Sequence, residues 1–572
     1  MIDSVLVANR GEIALRVMRT CRDMGIRTVA VYSDADANMP FVHAADLAIR
    51  LGAPPAAESY LDMEKILAVA VGNGVDAIHP GYGFLSENAE FSKRCGERGL
   101  IFIGPPPAAV TAMGDKAQAK RIMEKAGVPI LPGYLGEAQD VATLTREAAR
   151  VGYPLLLKAV AGGGGRGIRL VEREADLASA FESAQREATG AFKDGRVMLE
   201  KFLPAPHHVE FQIMADTHGS VIHLFEREGS VQRRHQKIIE ETPSPLLTPD
   251  LRKRMGEAAV VAAAAVGYEG AGTVEFLVDD AGHFYFLEMN TRLQVEHPVT
   301  EMTLGLDLVR LQIEVAEGKR LSIAQADLHP RGHAIECRLN AENPAKGFLP
   351  SVGDLRQFHF PSGAGLRVDS GFAPGGRVSP YYDSLLAKLI AWGPDRGEAL
   401  RRMRYLLANA QVTGIPTNLS LLQGIVAQEE FAAGKYSTQF MERHQKALVS
   451  QQPRASEVAE LIVAAAVTEV IQVLGERNHG TSMGNGATAS PWDKNPGWPV
   501  NPGAVPQMMR AINVAGQDVE ASIRVLSGSA SGFGIEVAWG GQTLRCAYTP
   551  TGALSGVMDL DGVRVPITWD AR

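Results

Sequence analysis

Two short strands joined by a turn, each carrying an acid, constrain this chain more than any other feature in it. Gly272-Thr273-Val274-Glu275-Phe276-Leu277-Val278 reads as a strand, and after Asp279-Asp280-Ala281-Gly282-His283 comes the apolar run Phe284-Tyr285-Phe286-Leu287. This pattern predicts a hairpin. If extension persists, Phe284, Phe286, Glu288, Asn290 and Arg292 share one face, which passes from aromatic to acid, amide and cation. Acids following such an apolar run are costly unless paired or metal-bound. Glu275 and Glu288, with Asn290 beside them, are hard oxygen ligands suited to Mg²⁺ holding nucleotide phosphates. The plainer alternative is a solvated strand end with ordinary charges.

A chain of 572 residues has room for about four domains. Its net charge of −8 disfavours a general nucleic-acid or anionic-membrane surface. Cys21, Cys95, Cys337 and Cys546 are scattered and form no Cys-x-x-Cys pair, which suits free thiols in a reducing compartment. The sequence starts on a strand with no secretory signal, and no run is apolar enough to span a bilayer. The expected location is cytoplasmic.

The first segment reads β-α-β: Ser4–Ala8, Ile13–Met24 and Thr28–Tyr32, joined by Asn9-Arg10-Gly11-Glu12. No Gly-x-Gly-x-x-Gly follows the strand, so a doubly wound fold is expected without a dinucleotide site. Ala77–His79 runs into the loop Pro80-Gly81-Tyr82-Gly83, where Tyr82 either packs the loop or meets a ligand. One helix is expected over Met113–Ala126, carrying Lys116. Next come a buried strand ending near Lys158 and the run Gly162-Gly163-Gly164-Gly165. Glycines let backbone N–H groups approach phosphate oxygens, and the missing Lys-Ser/Thr argues against a Walker loop. Val197–Leu203 reads as a strand with apolar residues and backbone groups suited to adenine. Read as extended chain, Gln232–Lys237 puts Arg233, His235 and Lys237 on one face, enough positive charge to offset a polyphosphate or to make a solvated edge.

These motifs together resemble the biotin carboxylases of the ATP-grasp superfamily, from about Met1 to His444. The resemblance rests on Ala8-Asn9-Arg10-Gly11-Glu12-Ile13-Ala14, His79-Pro80-Gly81-Tyr82-Gly83, Met113-Gly114-Asp115-Lys116, the glycine run, Arg233–Lys237 and Glu288–Glu301. It implies an α/β protein in several parts: an N-terminal doubly wound subdomain (1–112), an ATP-grasp domain (113–330) with a mobile glycine-rich lid (about 133–202), and a C-terminal α+β subdomain (331–446). By resemblance, Lys116, Lys158, Gly163, Gly164 and Gly165 hold ATP phosphates, while Glu200, Lys201, Leu203 and Leu277 line the adenine slot. His208, Gln232 and His235 lie near the ribose and phosphates. Glu275, Glu288 and Asn290 hold Mg²⁺ or Mn²⁺.

The resemblance further places bicarbonate against Arg292, Gln294 and the Val295 amide, with Glu296 as general base and Lys237 offsetting the charge that builds. Arg338, with Tyr82, meets biotin and steadies its enolate-like oxygen. Two rivals are another ATP-grasp ligase joining a carboxylate to an amine, which the metal and glycine features fit equally but Arg292–Glu296 with Arg338 argue against, and an inactive scaffold that only docks β subunits through the C-terminal region.

Beyond Lys446 the character changes. Ser456 is a plausible N-cap for an Ala/Val/Leu-rich helix to about Leu474, followed by a Gly/Asn/Pro-rich loop, 478–506, holding Trp492 and Trp498. Strands are expected near 521–526, 534–539, 543–548, 554–560 and 563–569. A helix with a small antiparallel barrel over 447–572 is similar to the domain that docks carboxyltransferase β subunits in acyl-CoA carboxylase α subunits. 3-Methylcrotonyl-CoA is the first expectation for the acyl substrate, propionyl- or acetyl-CoA the second. The carboxylase regions are expected to pair as homodimers or within a larger α/β assembly, with no nucleic acid and no membrane as partner. The sequence has no Met-Lys-Met and no lysine after Lys494, so biotin is expected on a carrier that is either removed or a separate chain.

Overall fold

The computed structural model describes residues 1–160, 168–192, 194–449, 455–479, 507–514, 517–529, 532–552, 555–560 and 563–568. They fall in two compact units, Met1–Val449 and Ser450–Arg572. The fold is α/β, with a parallel N-terminal sheet and antiparallel sheets after it.

The first unit opens with five parallel strands in the order Leu47–Gly52, Arg27–Ser33, Ser4–Val7, Ala77–His79 and Ile101–Phe102. The central strand, Ser-Val-Leu-Val, is buried throughout, as a two-sided parallel strand must be. At its carboxyl end Asn9 donates to the carbonyls of Pro80 and Tyr82, both at 2.7 Å, which holds the Tyr82 loop against the first one.

The single helix expected over Met113–Ala126 is two helices, Pro107–Gly114 and Lys116–Lys125. Asp115 breaks it by capping the second, accepting from the Gln118 amide at 2.8 Å. Lys116 therefore begins a helix instead of sitting inside one. A small sheet follows, in the order Gly133–Tyr134, Val197–Lys201, Leu155–Ala159 and Ile168–Val171, with its own apolar core around Leu144, Leu157, Phe181 and Leu199. Gly163, Gly164 and Gly165 lie outside the described residues.

The main sheet has eight strands: β1 (His207–Ala215), β2 (Val221–Arg233), β3 (Gln236–Thr242), β4 (Gly270–Val278), β5 (Phe284–Asn290), β6 (His333–Asn340), β7 (Leu366–Ser370) and β8 (Leu385–Gly393). Their order is β5-β4-β1-β2-β3-β6-β8-β7. The expected hairpin is β4–β5, with Glu275 opposite Glu288 and Phe276 opposite Phe286.

A bulge between those pairs corrects the single face expected from alternation. Phe284, Phe286 and Met289 all join the core beneath the sheet, so Glu288 and Asn290 point the other way. One extra residue thus moves the strand from serving the core to serving the site.

The second unit is one helix, Ala455–His479, against a six-stranded antiparallel meander. Ile462, Val463, Ala466, Val467 and Val470 pack on Ile523, Phe533, Ile535 and Val537. The helix begins before Ser456, which is inside it and not its cap. Five strands fall where alternation predicts, and a sixth, Gln507–Val514, precedes them. Trp492, Lys494 and Trp498 lie outside the described residues.

Candidate active site

β2 and β3 meet in a two-residue turn with Arg234 and His235 at positive φ, 48° and 64°. The run Gln232–Lys237 is therefore a hairpin tip, with Gln232 opposite Lys237. Arg233, His235 and Lys237 do not share a face. The turn aims Lys237 back along the sheet toward β1 and β4, where the acids are.

Lys237 Nζ donates to Glu275 at 3.0 Å, to Glu296 at 2.9 Å and to Glu210. Burial alone would lower its pKa, but the three carboxylates outweigh that and hold the ammonium well above its ordinary range. Its stem runs over Gly229, where a Cβ would lie 3.1 Å from Lys237 Cδ. His208 Nε2 reaches the other Glu275 oxygen at 2.8 Å. Burial opposes ionisation of Glu275, yet Lys237 and His208 carry it well below the usual carboxylate range.

Glu288, facing Glu275 across the strands, is shifted the other way, by burial and then by the Glu275 charge. Asn290 Nδ2 donates to Glu275 at 2.8 Å. Two opposed carboxylates of which one resists ionisation, with an amide oxygen alongside, suit a divalent cation. Among the described residues, His208, Glu210 and Glu275 are also spaced as a metal-compatible group, though Lys237 already engages two of its three members.

Glu296 precedes the His297–Leu304 helix and is fully buried. It is gripped from two sides, by Lys237 and by Arg338 at 2.8 Å. Burial would raise its pKa, but Lys237 and Arg338 hold it well below the ordinary value. Glu296 is thus a carboxylate at neutral pH, as a proton acceptor must be. Arg338 lies on β6 with only 13% of its side chain exposed, and its Nε donates to Glu240 at 2.6 Å. It is no surface arginine.

Arg292 is held at Nε by Glu87 (3.0 Å), and through its other nitrogens by Gln294 Oε1 (2.8 Å) and Asn290 Oδ1 (3.0 Å). Gln294 in turn donates to Glu275 at 3.1 Å. The Val295 carbonyl accepts from Lys388 at 3.0 Å. Arg292, Gln294, Glu296, Lys237, Glu275, Asn290 and Arg338 are therefore joined by hydrogen bonds, with Glu288 opposite Glu275.

Leu277 stands opposite His208 and Tyr285 in the register of β1, β4 and β5. Lys158 and Glu200 pair within the small sheet, and Lys120 joins the same carboxylate. Lys201 donates to the carbonyls of Gly152 and Tyr153 at 3.0 and 3.1 Å, which fastens the strand before Leu203. Tyr82 donates to Glu12 and lies against the core of the first unit.

Sequence reasoning missed Glu87, Lys120, Glu240 and Lys388 as parts of this surrounding. Lys120 carried a signal: it is one turn beyond Lys116, on the same helix face. The other three are joined to the site only by folding.

A small four-stranded antiparallel sheet followed by a large antiparallel sheet bearing paired acids is the arrangement of the ATP-grasp class. The family models agree: "Biotin carboxylase, N-terminal domain" matches residues 1–110, "Carbamoyl-phosphate synthase L chain, ATP binding domain" 115–324, and "Biotin carboxylase C-terminal domain" 336–443. A biotin carboxylase of Nostoc sp. is 50% identical over 444 residues, which is 78% of this chain and 99% of that protein.

The mitochondrial methylcrotonoyl-CoA carboxylase subunit alpha of Oryza sativa subsp. japonica is 51% identical over 484 residues, 83% of this chain and 66% of the relative. The biotin carboxylase domain dimer of Hydrogenobacter thermophilus 2-oxoglutarate carboxylase, solved with MgADP, ADP and bicarbonate, superposes with a TM-score of 0.76 at 47% identity. It covers 79% of this chain and all of that one. The chain belongs to the biotin carboxylase family of ATP-grasp ligases. It spans about two thirds of the length of the methylcrotonoyl-CoA carboxylase relatives. No helix among the described residues is long and apolar enough to cross a membrane.

Proposed function

We propose that this chain carboxylates biotin using ATP and bicarbonate. The observation that carries the reading is Glu296, a buried carboxylate clasped between Lys237 and Arg338 and one residue past the Gln294–Val295 strap. Lys116, Lys158 and the glycine run would face the ATP phosphates, and Glu200, Lys201, Leu203 and Leu277 the adenine. His208, Gln232 and His235 would border the ribose and phosphates. Glu275, Glu288 and Asn290 would hold Mg²⁺ or Mn²⁺, which supplies charge neutralisation for the phosphates.

Bicarbonate fits the fork of Arg292 with Gln294 and the Val295 amide, once Arg292 exchanges Glu87 for it. Glu296 removes the bicarbonate proton as the freed oxygen attacks the γ-phosphorus and ADP leaves. Lys237, already tied to the base, offsets the developing negative charge. The resulting carboxyphosphate breaks to CO₂ and phosphate, and the phosphate takes the proton from the ureido nitrogen of biotin. Arg338 would hold the ureido oxygen as it gains charge, and the nitrogen then attacks CO₂. Tyr82 would border the biotin.

The methylcrotonoyl-CoA carboxylase relatives support 3-methylcrotonyl-CoA as the eventual acceptor, with propionyl- or acetyl-CoA the alternatives. Residues 447–572 would dock carboxyltransferase β subunits, and the biotin would come from a carrier outside this sequence. The dimer in the Hydrogenobacter structure supports pairing of the carboxylase regions. The test is ADP release by the full chain with bicarbonate and Mg²⁺. Stimulation by free biotin that requires bicarbonate is expected. ATP cleavage indifferent to bicarbonate would refute the reading.

A further inference from the structure

Behind Arg338 lies a pair of acids that the chemistry above does not use. β3 and β6 run antiparallel with Glu240 directly opposite Glu336. Side chains so paired have Cβ atoms about 4.5–5.5 Å apart on one face of a sheet, so the two carboxyls are within reach of one shared proton. Both residues are buried, Glu336 completely. Neither oxygen of Glu336 has a hydrogen-bond partner, and Glu240 Oε2 has none either. Glu240 Oε1 accepts from Arg338 Nε at 2.6 Å, and Arg338 donates onward to Glu296 at 2.8 Å.

An ionised carboxyl sealed from water with no donor is among the costliest groups a fold can hold. A neutral acid in the same place needs only one acceptor, and the orphan Glu240 Oε2 is opposite. Lys388 and Arg338 both pull Glu336 toward its ionised form, but burial outweighs them and each is hydrogen-bonded elsewhere. On β8, Lys388 is committed to Glu12 at 3.1 Å and to the Val295 carbonyl at 3.0 Å, with Asp369 of β7 beyond it. On β6, Arg338 is taken by Glu240 and Glu296. On β3, Lys237 serves Glu210, Glu275 and Glu296. From the helix above, the buried His297 ring is held neutral by burial and by Lys388, Arg16 and Arg367.

We propose that Glu336 stands in the enzyme as a neutral acid donating its proton to Glu240, and that this pair is the positioning element holding Arg338 against Glu296. The line Glu336–Glu240–Arg338–Glu296 then runs from the sheet interior to the base, with each member fixed by the one behind it. The directions of the two acids' pKa shifts agree: burial raises Glu240 to about 7 and Glu336 well above the usual range. Glu336 and Glu240 touch no reactant; they act through Arg338. The functional half of this inference rests on the biotin carboxylase reading, and the protonation half does not.

The test therefore has two arms on the full chain. Infrared difference spectra at neutral pH should show a protonated-carboxyl stretch in the wild type that is missing in Glu336→Gln. Identical spectra in that region would overturn the protonation. In bicarbonate-dependent ATP cleavage with free biotin, Glu336→Gln, which keeps a neutral donor, should stay within about threefold of wild-type kcat with the same pH profile. Glu336→Leu should lose about tenfold or more in kcat, leave KM for ATP unmoved and shift the acid limb of the profile to higher pH. Loss in Glu336→Gln as deep as in Glu336→Leu would show that a charged carboxylate is needed and would overturn the positioning role. If Glu336→Leu does not fold, the glutamine variant and the spectra still decide.

Discussion

Replacing Glu296 by glutamine removes a proton acceptor while leaving the side-chain shape almost unchanged, and the structure says what else should follow. Breaking a buried ion pair usually costs about 3–5 kcal/mol because a charge is left without a partner. Here neither cation is abandoned. Lys237 keeps Glu210 and Glu275, and Arg338 keeps Glu240. The glutamine oxygen can still accept from one of them. Loss of stability should therefore be nearer 1–2 kcal/mol, the range of a single charged hydrogen bond weakened to a neutral one. Catalysis should suffer far more, since a positioned general base contributes about 10²–10⁴-fold. The assay is bicarbonate-dependent ADP release at saturating ATP, with nucleotide affinity measured separately by calorimetric titration and stability by thermal melting. The expected result is a kcat down by at least about a hundredfold with ATP affinity within about twofold of wild type. A variant folded, binding ATP and retaining more than about a tenth of the wild-type rate would refute Glu296 as the base.

Arg292→Lys should raise KM for bicarbonate by about tenfold or more, because an ammonium cannot reproduce a two-pronged contact worth about 1.5–3 kcal/mol, and KM for ATP should stay put. Gly229→Ala should lower kcat by about tenfold or more with little change in melting temperature, because the new Cβ presses on the Lys237 stem and shifts its ammonium; unchanged kcat would mean the stem yields freely. Glu228, buried opposite Glu241, is raised by burial to about 7, against the opposing pull of Ser230 and Ser244. A raised acid binds more protons folded than unfolded, so its contribution is full below the unfolded value near 4.5 and is lost as pH rises through about 7, roughly 3 kcal/mol in all. Glu228→Gln should accordingly flatten the fall in melting temperature between mildly acid and mildly alkaline pH, and parallel curves for variant and wild type would sink that assignment.

The two-strand hairpin, the acids at its end and the parallel N-terminal sheet were legible because each is a local pattern. What failed was one residue out of phase. Alternation places Phe286 and Glu288 together, but the bulge at Glu275–Phe276 parts them, and nothing in the composition of that strand marks it. Alternation along Gln232–Lys237 reads as one extended strand, but its turn is made by Arg234 and His235 in a conformation that non-glycine residues seldom take. Asp115 did carry a signal, as a good N-cap three residues before Gln118, that should have split the long helix. Glu87, Glu240 and Lys388 had none, for their meaning comes from partners between 98 and 376 residues away.

The site's acids outnumber the cations that serve them. Glu210, Glu240, Glu275, Glu288, Glu296 and Glu336 cluster around Lys237, Arg227 and Arg338, with His208 on Glu275. A fold can relieve such a surplus with a proton or with an external cation, and burial decides which. Glu336 is sealed on every side and faces another acid, so the relief available there is a proton. Glu288 is only partly buried and faces Glu275 where Asn290 adds an amide, so an ion from solution can reach it. One acid-rich sheet thereby yields a permanent device behind Arg338 and an exchangeable one beside Asn290. The bulge in β5 separates that exchangeable acid from the aromatic core, and the same device in a strand without it would turn Glu288 inward, where no cation could arrive.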